Sequence, residues 1–488
     1  MKILNNYWFH VCLTGIFVLA VGLRLYKVTA PIADWHSFRQ VDTASVAQIF
    51  VTRGIDILHP KYHDLSNIQS GKDNPQGYRM VEVPLYQAIA TLLVRMVPNL
   101  SVDLSLRIIT ILASSFTALV VASITTTLVS QLAGLSAGVL YAILPFSVFY
   151  GRVVLPEPLA VFFAVCSIWL MLFATCVKEK SWAFYLSTFT ASISILIKPT
   201  VGFLLLPLVG IIFLRYRFSL KTIIKGVILA VVILVPFLWW RQWILQYPEG
   251  IPVFLWLLND GNIRFKGAWF HWLFAERVSK MILGYFGISF VGLGLVLKLD
   301  KKEKWVAPLL LFGSILYLVI FAAGNVRHDY YQILLLPVIC LYSGKGIAYL
   351  FTNIHFSRLA VMILLVVGIG FTTAFSWFTL RTFYWINRPE IIMAGMEADR
   401  ILPKDAKVIA PYNGDTTFLY QTKRQGWPLG FDIEKKLAQG ATHYVTVSPT
   451  DADWETKTLA ETYTVLVRND SFAIIDLTKP RQLAGRQK

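Results

Sequence analysis

The sequence predicts an α-helical polytopic membrane protein with a small α/β soluble domain at its C-terminal end. Three observations predict it. Of 488 residues, 56% are hydrophobic and only 15% are charged, where soluble chains run nearer a quarter charged. Apolar runs close to the length of a membrane-spanning helix recur along the first 386 residues. The charge surplus of +17 is unevenly spread. Residues 387–488 hold 14 Lys/Arg against 13 Asp/Glu, and residues 1–386 hold 31 against 15. The composition therefore excludes a soluble enzyme, a disordered chain and a fibrous one. It places a boundary near Asn387-Arg388-Pro389 between a membrane domain, 1–386, and an ordinary soluble domain, 387–488.

About eleven spans are expected, near 7–26, 106–128, 132–150, 156–176, 182–197, 200–214, 223–240, 282–298, 306–323, 331–349 and 358–380. The first run passes through Gly22-Leu23-Arg24 without a small-residue cleavage site, so it is expected to remain as a span. Pro84–Val97 is too short to cross and carries Gln87 and Arg95, which suits an interfacial helix.

Orientation follows from where cations cluster. With the N-terminus and Lys2 inside, the loops at Lys178-Glu179-Lys180, Arg215–Lys225, Lys298–Lys304 and Lys345–Arg358 all lie inside, as the bias of Lys and Arg toward short cytoplasmic loops requires. A plasma-membrane (inner-membrane) protein with an extracytoplasmic C-terminal domain is expected. The outer segments are then 27–105, 151–155, 198–199, 241–281, 324–330 and the C-terminal domain.

Those outer segments hold the informative polar residues. The long first loop, 27–105, carries Asp34-Trp35-His36-Ser37-Phe38-Arg39-Gln40-Val41-Asp42-Thr43-Ala44 and ends at Glu82-Val83-Pro84-Leu85-Tyr86. Later outer turns carry Arg152 with Leu155-Pro156-Glu157, then Lys198-Pro199, then Arg327-His328-Asp329-Tyr330-Tyr331. Singly, each ionisable residue reads as a helix-end anchor. Together, acids and cations recur on one face, where ionisable groups at membrane depth carry function. A carboxylate beside a hydroxyl is a general base, and cations beside a phosphate leaving group stabilise its charge. The Tyr330-Tyr331 pair beside Arg327-His328 would line a sugar or prenyl pocket.

The order of these motifs resembles the integral-membrane glycosyltransferases of the GT-C fold, family 39, which includes protein O-mannosyltransferases and the aminoarabinose transferase of lipid A. Glu82-Val83-Pro84-Leu85-Tyr86 resembles the family's Glu-Lys-Pro-Pro-Leu-Tyr segment, lacking its lysine and one proline. Arg152 with Leu155-Pro156-Glu157 resembles its arginine-then-acid motif, with Glu for the usual Asp. Arg327-His328-Asp329-Tyr330-Tyr331 with Leu336-Pro337 resembles its late Arg–Tyr–Leu-Pro segment. His36-Ser37-Phe38-Arg39-Gln40 with Asp42-Thr43-Ala44 is similar to a bacterial His-Ser-Trp-Arg-Gln-x-Asp-Thr-Ala motif.

The resemblance implies inverting transfer from a polyprenyl-phosphate monosaccharide, a hexose or a pentose, to a glycan, lipid or protein hydroxyl. It implies an acidic base in the first outer loop. Most members carry Asp-Glu there, and alignment on the following helix puts Arg39-Gln40 at those positions, so the base is Asp34 or Asp42. Asp42 lies near a helix start, where capping explains it more cheaply, and this favours Asp34. Glu157 would help orient the acceptor or Arg152. Arg39, Arg152, Lys198 and Arg327 are the expected donor-phosphate ligands, and Glu82, His36, His328, Tyr330 and Tyr331 the expected pocket.

No cofactor is expected. A divalent ion on Glu82 and an Asp is chemically conceivable and is not predicted, and His59 and His63 read as a solvated loop. The four cysteines fall within spans, so no disulfide framework is implied. Nucleic acid is not needed to explain the basic surplus. The rival from another class is a lipid-linked sugar transporter or flippase, which would show internal repeats or paired broken helices; a catalytically inactive relative of the same fold is the third. In the C-terminal domain, Lys407–Tyr412, Asp415–Thr422, His443–Val447, Tyr463–Arg468 and Ser471–Leu477 read as strands, the last two as a hairpin. Ile433–Gln439 reads as a short helix.

Overall fold

The computed structural model describes residues 6–177 and 180–481. Lys2, Lys178 and Glu179, invoked above for orientation, lie outside the described residues. Two units divide the chain. The first comprises Met1–Val28, Leu106–Trp243 and Phe254–Thr382, and the second Thr29–Ser105, Ile244–Val253 and Phe383–Lys488.

Among the described residues, eight helices are long and apolar enough to cross a membrane, from Tyr7–Arg24 to the long C-terminal run Arg358–Ile401. The remaining expected spans take other forms. Gly267–Ile282 and Gly287–Val296 form a pair bent by 113°, where a single span over 282–298 was expected. Gln131–Ile143 and Ser181–Ile197 are apolar but shorter than a full crossing. The helix 131–143 stops early because Pro145 has no N–H to offer the Tyr141 carbonyl.

That break is repaired from elsewhere in the first unit. Arg24, fully buried at the end of the helix Asn6–Arg24, donates to the carbonyls of Tyr141 (3.2 Å) and Ala142 (3.1 Å). It also reaches Ser147 Oγ at 2.8 Å and Ser114 Oγ at 3.0 Å. A cation at the C-terminal end of a helix satisfies carbonyls that the helix cannot. Arg24 reads in sequence as part of the first span, 7–26; in the fold it ties that span to residues 141–147.

Helix packing in this unit uses small residues, as expected where apolar surface alone gives helices no reason to associate. The helix Leu336–Thr352 runs against Gln131–Ile143 and Gly287–Val296. A Cβ on Gly344 would lie 2.4 Å from the Ala133 carbonyl oxygen, and one on Gly294 would lie 1.9 Å from that of Tyr342. Lys345 lies inside this helix rather than in the loop assigned to it above. It is buried, pairs with Glu303 at 2.9 Å and donates to the Lys298 carbonyl at 2.9 Å. Its charge is neutralised there and adds little to a loop count.

In the second unit, residues 383–481 contribute a five-stranded sheet. The strands are β1 (Lys407–Ile409), β2 (Gln425–Trp427), β3 (His443–Thr446), β4 (Tyr463–Arg468) and β5 (Ala473–Pro480), in the order β2-β1-β3-β5-β4. β1 pairs parallel with β2 and β3, while β5 runs antiparallel to β3 and β4. The hairpin and the helix Ile433–Ala438 match their sequence assignment. Asp415–Thr422 does not: Thr417–Gln421 is a helix. Asp415 Oδ1 accepts from the Thr417 N–H at 2.7 Å, which opens a turn rather than a strand, and the helix buries Phe418 and Leu419 in the core. The free edge of β2 is covered by the first loop, since Leu65 N–H donates to Gly426 O at 2.8 Å and Gly426 N–H to His63 O at 2.9 Å. Covering an edge removes a surface open to unwanted pairing.

The packing gives a matched pair of substitutions. Gly344→Ala is expected to lower the stability of the detergent-solubilised protein by about 1–3 kcal/mol, the range for a methyl forced into a filled contact. Gly370→Ala, with no atom within 4 Å of the new Cβ, is expected to leave the melting temperature unchanged or slightly raised. Equal shifts in the two thermal unfolding curves would refute close packing at Gly344.

Candidate functional site

The second unit builds its polar centre on the helix Ser37–Arg53. The helix starts at Ser37 because His36 takes a left-handed conformation, φ 55° and ψ 32°, just before it. Asp42 therefore sits in the second turn, not at the N-cap, and the capping role considered for it fails. It is buried and its carboxylate is full of donors. Thr416 Oγ1 donates to Oδ1 at 2.7 Å, Gln69 Nε2 donates to Oδ2 at 2.9 Å, and Arg79 lies 3.1 Å from Oδ2. Arg79 also donates to Gln69 Oε1, so Gln69 and Arg79 close a ring with the Asp42 carboxylate.

Asp34 has a different environment. It is buried, and Gln40, one turn into the helix, donates from Nε2 to Asp34 Oδ1 at 2.8 Å and to the Trp35 carbonyl at 3.0 Å. Gln40, which carries no charge, was passed over in the sequence as the alignment partner of an acid. Arg39 pairs with Glu82 at 2.5 Å, both side chains nearly dry, with Glu82 three residues before the short apolar helix Leu85–Met96. Two expected site residues thus satisfy one another. The small cavity beside them is lined by Arg39, Asp42, Arg79, Glu82 and Gln87. The His36 ring packs edge-on against Trp35 and Phe38.

His59 and His63 do not behave as a solvated pair. His59 contacts Asp56 through Nδ1 (2.9 Å) and the Tyr247 hydroxyl through Nε2 (2.9 Å). His63 is buried against the Tyr420 ring, and burial, with Arg53 and Arg424 adding to it, pushes its pKa down to about 3. Among the described residues, no three His, Cys, Asp or Glu side chains gather as a metal group.

In the first unit, Glu157 opens the helix Glu157–Leu172 and Lys198 ends the helix Ser181–Ile197. The two meet at 2.6 Å, with Glu157 1% exposed and the Lys198 side chain 11% exposed. Arg152 is buried, donates to the Lys27 carbonyl at 2.9 Å and lies over the Phe149 ring. Glu157 therefore has Lys198 as its ion-pair partner, where Arg152 was one of the partners expected. Arg327 is half-exposed, donates to Asp260 and lies over the Trp256 ring. The His328 ring sits among Trp256, Tyr330 and Tyr331, so that cluster is aromatic as expected.

One group in this unit escaped sequence reading. Asp329 accepts from the Tyr150 hydroxyl at 2.5 Å and lies 3.7 Å from Arg277 Nη1. Tyr150 and Asp329 are 179 positions apart in sequence, and no local spacing signals that meeting. Arg277 lies on the helical segment His271–Ile282, nearly all of it within the outer segment 241–281, where no site residue was expected.

Residues 81–240 match the family model described as dolichyl-phosphate-mannose-protein mannosyltransferase. Among solved structures, ArnT from Cupriavidus metallidurans, bound to undecaprenyl phosphate, aligns with a TM-score of 0.63 at 12% identity, over 96% of this chain and 97% of that one. The chain has the GT-C fold. The oligosaccharyltransferase AglB from Archaeoglobus fulgidus, with an inhibitory peptide and a dolichol phosphate, gives 0.58 at 11% identity, over 94% and 73% of the two chains. The arabinofuranosyltransferase AftD from Mycobacteria gives 0.58 at 15%, over 97% and 42%. No curated protein matches the sequence. At these identities the structural likeness is one of fold, and it agrees with the GT-C resemblance read from the motifs and with a multi-pass membrane protein.

Two predictions follow from the charges in the GT-C chain. Lys198→Met strands Glu157 without its partner and is expected to cost about 3–5 kcal/mol, with most of the loss recovered in Lys198→Met/Glu157→Gln. Thermal unfolding of the three proteins checks it, and an additive double variant would refute the pairing.

The second concerns Asp64, which is buried in the second unit. Burial raises its pKa to about 6, against lowering by hydrogen bonds from Ser66; Asp42 adds to the rise and Arg79 opposes it. The folded state thus keeps a proton that the unfolded chain has already lost. The associated stability is full below the ordinary carboxylate pKa and declines as pH rises through about 6. Asp64→Asn is expected to flatten that decline in melting temperature between about pH 4 and 7; an unchanged slope would count against it.

Proposed function

We propose that this protein is a membrane glycosyltransferase that moves a monosaccharide from a polyprenyl-phosphate donor to an acceptor hydroxyl. The fold and the family match over 81–240 support the transferase class. The lipid phosphates bound to ArnT and AglB support the donor class. The proposed setting is the plasma membrane, with the N-terminus cytoplasmic and the first loop and C-terminal domain outside.

The observation that carries the mechanism is the hydrogen bond from Gln40 that orients the buried Asp34 carboxylate. Asp42 has both oxygens engaged, one of them with a cation, which suits a structural tie. Asp34 is buried and its Oδ1 accepts from Gln40 Nε2, which orients the carboxylate. We assign Asp34 as general base. It takes the acceptor hydroxyl proton as the oxygen attacks the anomeric carbon. The carbon–oxygen bond to phosphate breaks, the polyprenyl phosphate leaves with the electron pair, and the centre inverts. Cations are the groups to receive that charge. Arg152, Lys198 and Arg327 in the first unit and Arg39 in the second remain the candidates. Glu157 is proposed to hold Lys198 rather than to abstract a proton. In the second unit Glu82 is proposed to hold Arg39 and His36 to contact substrate; in the first, His328, Tyr330 and Tyr331 are proposed as pocket walls.

Purified protein with a radiolabelled polyprenyl-phosphate sugar and a membrane-extract acceptor tests this. Asp34→Asn is expected to lower kcat by about 10²–10⁴-fold, the range for losing a general base, in protein that still folds. Asp42→Asn is expected to lower the melting temperature first. Wild-type rates for Asp34→Asn sink the assignment. Movement of labelled lipid across vesicles without transfer would favour a flippase instead.

A further inference from the structure

The sequence reading treats the C-terminal domain as an appendage of open purpose. Its contacts with the first loop, all inside the second unit, assign it a task. We infer that the turn at Thr416 and the helix Thr417–Gln421 form a brace that holds the segment 32–42 in place, making Thr416 and Thr417 positioning residues for the base. The inference rests on the reading of Asp34 as that base.

The brace grips the segment on both sides of Asp34. Before it, Gln421 Nε2 donates to the Ile32 carbonyl at 2.9 Å. Immediately after it, a contact outside the brace adds to the hold: Trp35 N–H donates to the Phe383 carbonyl at 3.0 Å, and the two rings stack at 4.6 Å. Further on, Thr417 Oγ1 donates to Ser37 Oγ at 2.9 Å and Thr416 Oγ1 to Asp42 Oδ1 at 2.7 Å. The brace is itself anchored. Phe418 and Leu419 are wholly buried with Val408, Val445 and Ile474 of the sheet, and Ala33, next to Asp34, packs against the same cluster.

The held segment is one that needs holding. His36 adopts a left-handed backbone, which L-residues enter at a cost and keep only when their surroundings fix them. That conformation turns the chain so that Gln40 comes back over Asp34 and Trp35. A hydroxyl at 416 thus acts on the base through Asp42, its helix and Gln40. Because catalytic geometry tolerates little displacement, the loss of one hydroxyl there is read in turnover.

The test is steady-state transfer by full-length Thr416→Val and Thr416→Ser in nanodiscs, using the polyprenyl-phosphate sugar that the wild type accepts. Thr416→Val keeps the shape and removes the donor. Its kcat is expected to fall about tenfold with the donor KM within about twofold, and Thr416→Ser is expected to restore most of it. Hydrogen exchange over residues 32–42 is expected to quicken in Thr416→Val and not in Thr416→Ser. Wild-type kcat in Thr416→Val, a loss explained by less folded protein, or no rescue by serine overturns the brace. If the wild type transfers nothing, the function reading fails instead. Unchanged exchange over 32–42 would then overturn the brace on its own.

Discussion

The Asp42 carboxylate gathers Thr416, Gln69 and Arg79, and those donors come from the C-terminal domain and from the far part of the first loop. A buried carboxylate is costly unless its lone pairs are filled. Once Asp42 turns inward from its helix, the chain has to bring donors to it from elsewhere. Meeting that need fixes the loop 60–80 against the helix Ser37–Arg53 and fixes the turn at 416 against both. The strand-like addition of residues 63–65 to β2 runs between these two fixed points. One acid thereby joins three stretches of chain that share no local sequence signal.

The first unit solves the same problem repeatedly with cations. Arg24 fills carbonyls left open by Pro145, Arg107 donates to the Val28 carbonyl at 2.7 Å, and Arg152 donates to that of Lys27. Lys198 meets Glu157 and Lys345 meets Glu303. In an apolar setting, a broken helix end or an ion without a partner cannot borrow water. Each of these residues therefore sits where a helix stops, bends or passes another. The pairs stabilise only relative to the stranded ion, which is why they serve placement more than overall stability.

How much of this was legible follows from the range of each signal. The spans were visible because hydropathy is a property of consecutive residues, and the hairpin 463–477 was visible from its turn. Helix breaks at Pro145 and in the bent pair 267–296 were less so, since a long apolar run hides where the backbone interrupts it. The site residues in the first loop could be named as a group, because their types and order match a motif. Their partners were not: Gln40 is uncharged, and Thr416 lies 374 positions from Asp42. The misreading of 415–422 as a strand has the same origin. Its β-prone composition was outweighed by a local Asp415–Thr417 turn and by the burial of two successive residues, Phe418 and Leu419.

The basic surplus can now be divided by what each charge touches. In sequence, Arg39, Arg152, Lys198 and Arg327 stood out as cations beside acids that membrane topology did not explain, and a lipid phosphate explained them best. In the fold each has a protein partner: Glu82, the Lys27 carbonyl, Glu157 and Asp260. A phosphate would enter these arrangements as a competitor, not as the filler of a vacancy. Competition is easiest where the partner is solvated and hardest where it is dry. Arg327 with Asp260, both near half-exposed, exchanges partners at little cost. Arg39 with Glu82 and Lys198 with Glu157 are dry, and drawing either cation toward a lipid strands a buried acid. A phosphate seated there would have to replace the acid's whole interaction, or the acid would have to take up a proton. Arg152 differs in donating to a neutral carbonyl, that of Lys27. By that ordering Arg327 is the stronger phosphate candidate, and Lys198 and Arg39 belong first to the scaffold.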